Sequence, residues 1–272
     1  KCLLVDGGGG NLLLRRLQDT GYKWQDMRDI IVTHKHIDHL LGIIWMQRMI
    51  CQNMARGKYE GEARLYAHEE VIRILHQMAE MLLTEKERKF IDERFFLIEV
   101  KDGETREIIG QTVQFFDIHS TKAKQFGFAM TLKDGRKIAC CGDEPYCDAE
   151  YEYVKGSTLM LHEAFCLYSQ REIFEPYKKN HSTRASWRRN SACRTSCSTT
   201  RRTRASKTAR HFIPKRAGNI TMAIWSSRTI WRRWNFKGCK AAEARWLSPL
   251  FAGKCVKSLY RRWRISDGDL TL

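Results

Sequence analysis

The chain has 272 residues, 43% hydrophobic and 29% charged, enough apolar material for one or two domains around a sizeable core. It contains no apolar run of the length a membrane span needs and no visible secretory leader, so no membrane partner and a cytoplasmic location are expected. Its net charge of +17 would suit a nucleic-acid partner, but residues 184–242 carry lysine and arginine with no aspartate or glutamate, while the preceding part is close to neutral.

Lys1 leads directly into the apolar run Cys2-Leu3-Leu4-Val5, which reads as a buried strand ending at Asp6 and suggests a start truncated relative to a full domain. After Gly7–Gly10, residues 11–19 read as a helix stopped at Gly21. Asp29–Thr33 is a short strand entering a histidine cluster, and Asp38 is expected to cap a helix through Met46. A strand over Ala63–Ala67, a helix over Glu69–Leu83, and strands over Phe95–Val100, Glu107–Ile109 and Val113–Ile118 follow. Phe126–Leu132 and Lys137–Cys141 form a hairpin pattern around Asp134-Gly135, and Thr158–His162 is a further strand. The alternation of strands and helices predicts an α/β fold. Ten irregularly spaced cysteines fit reduced thiols, and Cys140-Cys141, adjacent on a strand, should point to opposite faces as small buried groups.

The segment Thr33-His34-Lys35-His36-Ile37-Asp38-His39-Leu40-Leu41-Gly42 carries the chemistry. Extended backbone sends His34 and His36 to one side, where they can grip one ion, and Asp38 and His39 at the helix start can grip a second. Imidazole with carboxylate suits zinc, and manganese or iron is compatible. His68, His76 and His162 lack such spacing and read as packing or surface residues.

This pattern resembles the HxHxDH signature of the metallo-β-lactamase fold, and other pieces follow in that family's order. Leu4-Val5-Asp6-Gly7-Gly8 is similar to its strand-Asp-Gly motif, His119-Ser120 with Gly127-Phe128 to its third-ligand motif, and Gly142-Asp143 to its bridging aspartate. Leu161-His162-Glu163-Ala164 and His181-Ser182-Thr183 resemble motifs of the ribonuclease Z branch. The resemblance spans about residues 1–183 and implies an αββα sandwich, incomplete at its start, with two divalent ions. It places His34, His36 and His119 on one ion, Asp38 and His39 on the other, and Asp143 between them. His181, oriented by Glu163, would assist the leaving oxygen or stabilise the transition state, with Asp38 also at the reacting centre. The implied activity is phosphodiester hydrolysis, with tRNA 3′ processing as the branch's reaction and a homodimer as its implied assembly. The short interval from His119 to Asp143 reads as a simple hairpin with no room for a tRNA-gripping arm, which makes a cyclic nucleotide or other small phosphodiester the second candidate.

After Thr183 the character changes to Arg, Ser, Thr and Trp without amphipathic period, and the one later histidine, His211, does not sit in the setting of the family's last ligand. Residues 184–236 are therefore expected to be an out-of-frame segment. Joining the last base of each codon to the next two lets Ser198–Arg202 read Tyr-His-Thr-Glu and permits a stop at Phe236–Lys237. Residues 237–272 would then be a disordered read-through tail. On this reading the chain is impaired, lacking a ligand for the second ion and a strand to close its sheet. The rivals are a basic RNA-binding arm, in which Trp187, Trp225, Trp231 and Trp234 interleave with arginines, and a small metal site from Cys193 and Cys197.

Overall fold

The structure of the protein is a computed structural model that describes residues 2–144 and 147–164, and the backbone of 196–201, 221–224 and 232–235. In chain order the elements are β1 (Cys2–Val5), α1 (Leu12–Asp19), β2 (Met27–Ile31), α2 (Ile37–Ala55), β3 (Ala63–Ala67), α3 (Glu69–Leu82), α4 (Glu85–Arg88), β4 (Phe95–Glu99), β5 (Thr105–Ile108) and β6 (Gln111–Asp117). There follow β7 (Phe126–Thr131), β8 (Lys137–Cys140), α5 (Tyr151–Val154), β9 (Leu159–Ala164), β10 (Ser196–Arg201), β11 (Thr221–Ile224) and β12 (Arg232–Asn235).

Two six-stranded sheets result, ordered β12-β11-β1-β2-β3-β4 and β10-β9-β8-β7-β6-β5. The first is parallel from β11 to β4, with β12 antiparallel at its edge. The second is antiparallel from β5 to β8 and parallel from β8 to β10.

Alternation along single strands explains the layers. In β1, Leu3 and Val5 enter the core between the sheets, where they meet Phe115, Phe128 and Met130. Leu4 faces the other way, into the core formed with Leu13 and Leu17 of α1, Ile43 and Met46 of α2, and Val71 and Leu75 of α3. In β6, Phe115 faces the first sheet, while Phe116 joins Val154 of α5 on the outer side. Each fully buried aromatic or aliphatic side chain contributes about 1.5–3 kcal/mol to the sandwich. Cys140 and Cys141 divide as the sequence predicts, one between the sheets and one in the outer cluster, neither in a disulfide. No helix among the described residues is long and apolar enough to cross a membrane.

Three expectations are corrected. The N-cap of α2 is His36, in extended conformation, and Asp38 lies within the first helical turn, where its charge meets the positive end of the helix dipole. The helix also continues well beyond Met46, because Ile50, Cys51 and Met54 extend its buried stripe. The bare sheet edge expected from the altered tail is not found: β10 pairs with β9, and β11 with β1. Strand pairing is made by main-chain groups, so a segment of unusual side-chain character can still supply it. The stretch 237–272 lies outside the described residues.

Candidate metal centre

The site forms where β2 of one sheet and β8 of the other end side by side. At the end of β1, Asp6 adopts a left-handed φ of 56°, and the glycines after it press against α2. The Gly7 amide donates to the His39 carbonyl at 2.7 Å, and the Gly42 amide to the Gly8 carbonyl at 2.9 Å. A Cβ on Gly42 would lie 1.8 Å from the Gly7 carbonyl oxygen, so this approach requires glycine.

Held there, the buried Asp6 carboxylate organises the histidines. It accepts from the Thr33 amide, the Thr33 hydroxyl and His39 Nδ1, each at 2.8 Å. The Thr33 hydroxyl proton is thereby used, so at its 2.9 Å contact with His34 Nδ1 the ring must be the donor. Asp6 therefore fixes the orientation of both rings and leaves each Nε2 facing the site. Burial, reinforced by His39 and His36, pushes His34 down to about 2, so it is neutral and its Nε2 carries a free lone pair. Burial also opposes the charge on His39, but Asp6 and Asp143 outweigh it and lift the group to about 10. A cation binding at His39 must displace that proton.

His34 Nε2 and His39 Nε2 are buried and without hydrogen-bond partners. With the Asp143 carboxylate they offer three ligand atoms within 4.8 Å of one another, and Asp143 Oδ2 lies 3.6 Å from His39 Nε2. Two imidazoles with an orphaned nitrogen each, facing a carboxylate, fit a divalent metal ion. The ring of His36 stands edge-on to His34 with centroids 4.5 Å apart, and Asp38 is half-buried in the next turn.

His119 is not drawn into this group. It takes a left-handed φ of 54°, its amide donates to Asp117 Oδ1 at 2.7 Å, and its side chain is 65% exposed. Glu163 belongs to β9, with its side chain outside the described residues, and His181 also lies outside them. The histidines set aside as packing or surface groups divide as expected: His68 and His162 are buried, and His76 is half-exposed beside Asp92.

Sequence reasoning missed three contributors. Asp6 was legible only as part of a strand-Asp-Gly motif, and Thr33 only as the residue before His34. Gln125, 1% exposed, had no signal at all; it joins the segments bearing His34, His119 and Asp143. Charged pairs also tie the surrounding loops. Lys35 meets Glu70 at 2.6 Å and Lys124 meets Glu69 at 2.8 Å, both at the start of α3, while Lys122 meets Glu144 at 3.1 Å.

Comparison with solved structures places this fold. YhfI of Bacillus subtilis, a metallo-β-lactamase-fold protein, shares 18% identity over 61% of this chain and 62% of its own, with a TM-score of 0.48. The short form of human tRNase Z shares 18% identity over 71% of this chain and 78% of its own, with a TM-score of 0.54. A diphosphatase of the PhnP family shares 18% identity over 71% of this chain and 66% of its own, at a TM-score of 0.51. The chain thus spans less than two thirds of the length of YhfI and about two thirds of that diphosphatase. No curated protein matches the sequence. The sheets and layers are those of the metallo-β-lactamase fold. Residues 1–190 match the family of the Anti-Pycsar protein Apyc1, which covers well over half of the sequence, and the chain belongs to that family.

Proposed function

We propose that this protein is a metal-dependent phosphodiesterase that holds two divalent ions, zinc by donor type, and acts on a small phosphodiester such as a cyclic nucleotide. The observation that carries the hydrolytic reading is the convergence of His34 Nε2, His39 Nε2 and Asp143 at one strand-end site. His36 and Asp38 complete the proposed ligand set, and His119 would join it by turning inward from its exposed position on loading. When bound, the ions would lower the pKa of a water molecule and neutralise charge on the phosphate. The chain's own part is to present neutral imidazole at His34, to keep His39 oriented through Asp6, and to surrender the His39 proton on loading. Glu163 and His181 are assigned proton transfer at the leaving oxygen on sequence alone.

The choice of substrate rests on what lies between His119 and Asp143. That interval consists of one loop, β7, a tight turn and β8, with no projecting arm to grip a folded RNA. A ribonuclease Z-type reaction on precursor tRNA is the second reading, supported by the fold shared with tRNase Z. The test is to incubate the zinc-loaded chain with a 3′,5′-cyclic nucleotide and, separately, with precursor tRNA. Cyclic-nucleotide turnover is expected, slow because no histidine after Thr183 sits in the family's setting, and absent in His39→Ala and Asp143→Asn. Trailer cleavage without cyclic-nucleotide turnover would reverse the choice of substrate. RNA binding that is salt-sensitive and indifferent to His34→Ala would instead favour the basic segment after Thr183 as the working part.

A further inference from the structure

The described residues place one buried amide at the meeting point of the segments that bear His34, His119 and Asp143. Gln125 immediately precedes β7 and is 1% exposed. Its backbone forms an isolated bridge with His34, and its carbonyl accepts from the Ile118 amide, one residue before His119, at 3.1 Å. Its side-chain Oε1 accepts from the Asp143 amide at 3.3 Å, and its Nε2 donates to Ser120 Oγ at 3.4 Å. Ser120 in turn donates to Glu144 Oε1 at 3.1 Å, which returns the chain of bonds to the neighbour of Asp143. The adjoining Phe126 amide bonds the Thr33 carbonyl at 3.0 Å, fixing the same junction to the segment after β2 that carries His34.

We propose that Gln125 is a positioning residue that sets the relative placement of the His34, His119 and Asp143 segments, and so the affinity and geometry of the metal site. The inference rests on the metal-dependent reading above. A carboxamide suits the post because one end accepts and the other donates. From its own buried position it can satisfy the Asp143 amide and the Ser120 oxygen at once. An apolar side chain of the same length fills the space but leaves the Asp143 amide without its acceptor. Groups bonded one step behind a metal ligand typically change metal affinity by about 10- to 100-fold when removed.

The experiment compares the parent chain with Gln125→Met and Gln125→Glu by cobalt(II) titration, read from the visible absorption bands, alongside melting of the metal-free proteins. Gln125→Met is expected to bind cobalt about tenfold more weakly, with altered bands and a metal-free melting temperature close to that of the parent. Gln125→Glu keeps the acceptor for Asp143 and is expected to recover most of the affinity and the parent bands. Parent-like affinity and bands in Gln125→Met would overturn the proposal, as would a loss that Gln125→Glu shares in full. Should Gln125→Met fail to fold, Ser120→Ala reads the same chain of bonds from a half-buried position. A shift in the cobalt bands supports the proposal, and unchanged bands and affinity overturn it. A parent that binds no cobalt removes the metal-dependent reading and this inference together, whereas a parent that binds while all variants match it removes this inference alone.

Discussion

At the scale of single residues, the described part of the chain buries few groups that can ionise, and those few are arranged. Asp6 serves Thr33 and His39 together, and both rings beside it owe their orientation to that one carboxylate. Glu150 is the opposite case. It is fully buried, accepts from the Cys147 amide at 3.3 Å, and is pushed by burial up to about 8 from an ordinary value of 4.5. Below pH 4.5 the carboxyl is neutral in both folded and unfolded chains, and its contribution to stability is fully present. Between 4.5 and about 8 the unfolded chain ionises freely while the folded chain must keep the proton, so stability drains away as pH rises; above about 8 the loss is complete. Glu150→Gln should therefore gain stability relative to the parent across that window and be level with it at the acid end. Melting of both metal-free proteins from pH 4.5 to 8.5 checks this, and parallel curves would refute it.

At the scale of elements, the junction of β1 with α2 is the most demanding contact. Gly42 was visible in the sequence as the end of the histidine segment, but its role is a steric one: α2 can rest on the Gly7 turn only without a Cβ. Gly42→Ala is expected to cost about 3 kcal/mol, the upper end of ordinary overpacking, and to weaken cobalt binding because the His39 carbonyl accepts from the Gly7 amide of the same turn. Urea unfolding would show it, and a change below about 0.5 kcal/mol, the range of neutral surface changes, would contradict the argument. The helix α2 and the hairpin of β7 and β8 were legible because their signals are local: a buried stripe at helical spacing and an Asp-Gly turn between apolar runs. The outward turn of His119 was not, since it follows from a bond between its own amide and Asp117 that no spacing rule announces. Gln125 escaped for a related reason: a lone glutamine before a strand has no pattern, and its partners lie on segments remote in sequence.

At the scale of the whole molecule, the αββα order follows from strands that are apolar on both faces, as Leu3, Leu4 and Val5 already suggest, but strand order within the sheets does not. The neighbours β1 and β11 are separated by most of the chain, so nothing local encodes their pairing. The tail composition predicts no strand to close the sheets, yet its strands occupy one edge of each sheet because pairing draws on main-chain groups. Zinc at a thousandfold excess over its dissociation constant should stabilise the folded chain by about 4 kcal/mol. That corresponds to a rise in melting temperature of about 8–16 °C for a domain of this size. Calorimetry with and without a chelator measures it, and His39→Ala should abolish the difference.

The position of the centre at the seam between the sheets gives a bound ion a second office. His34 and His39 belong to one half of the sandwich and Asp143 to the other, so a cation held by all three would act as a removable rivet through both layers. Unfolding scatters the three ligands and releases the ion, so the rivet would strengthen the sandwich through its own binding free energy and not, as a disulfide does, by constraining the unfolded chain. Cargo that switches on the chemistry would thereby also lock the scaffold that performs it.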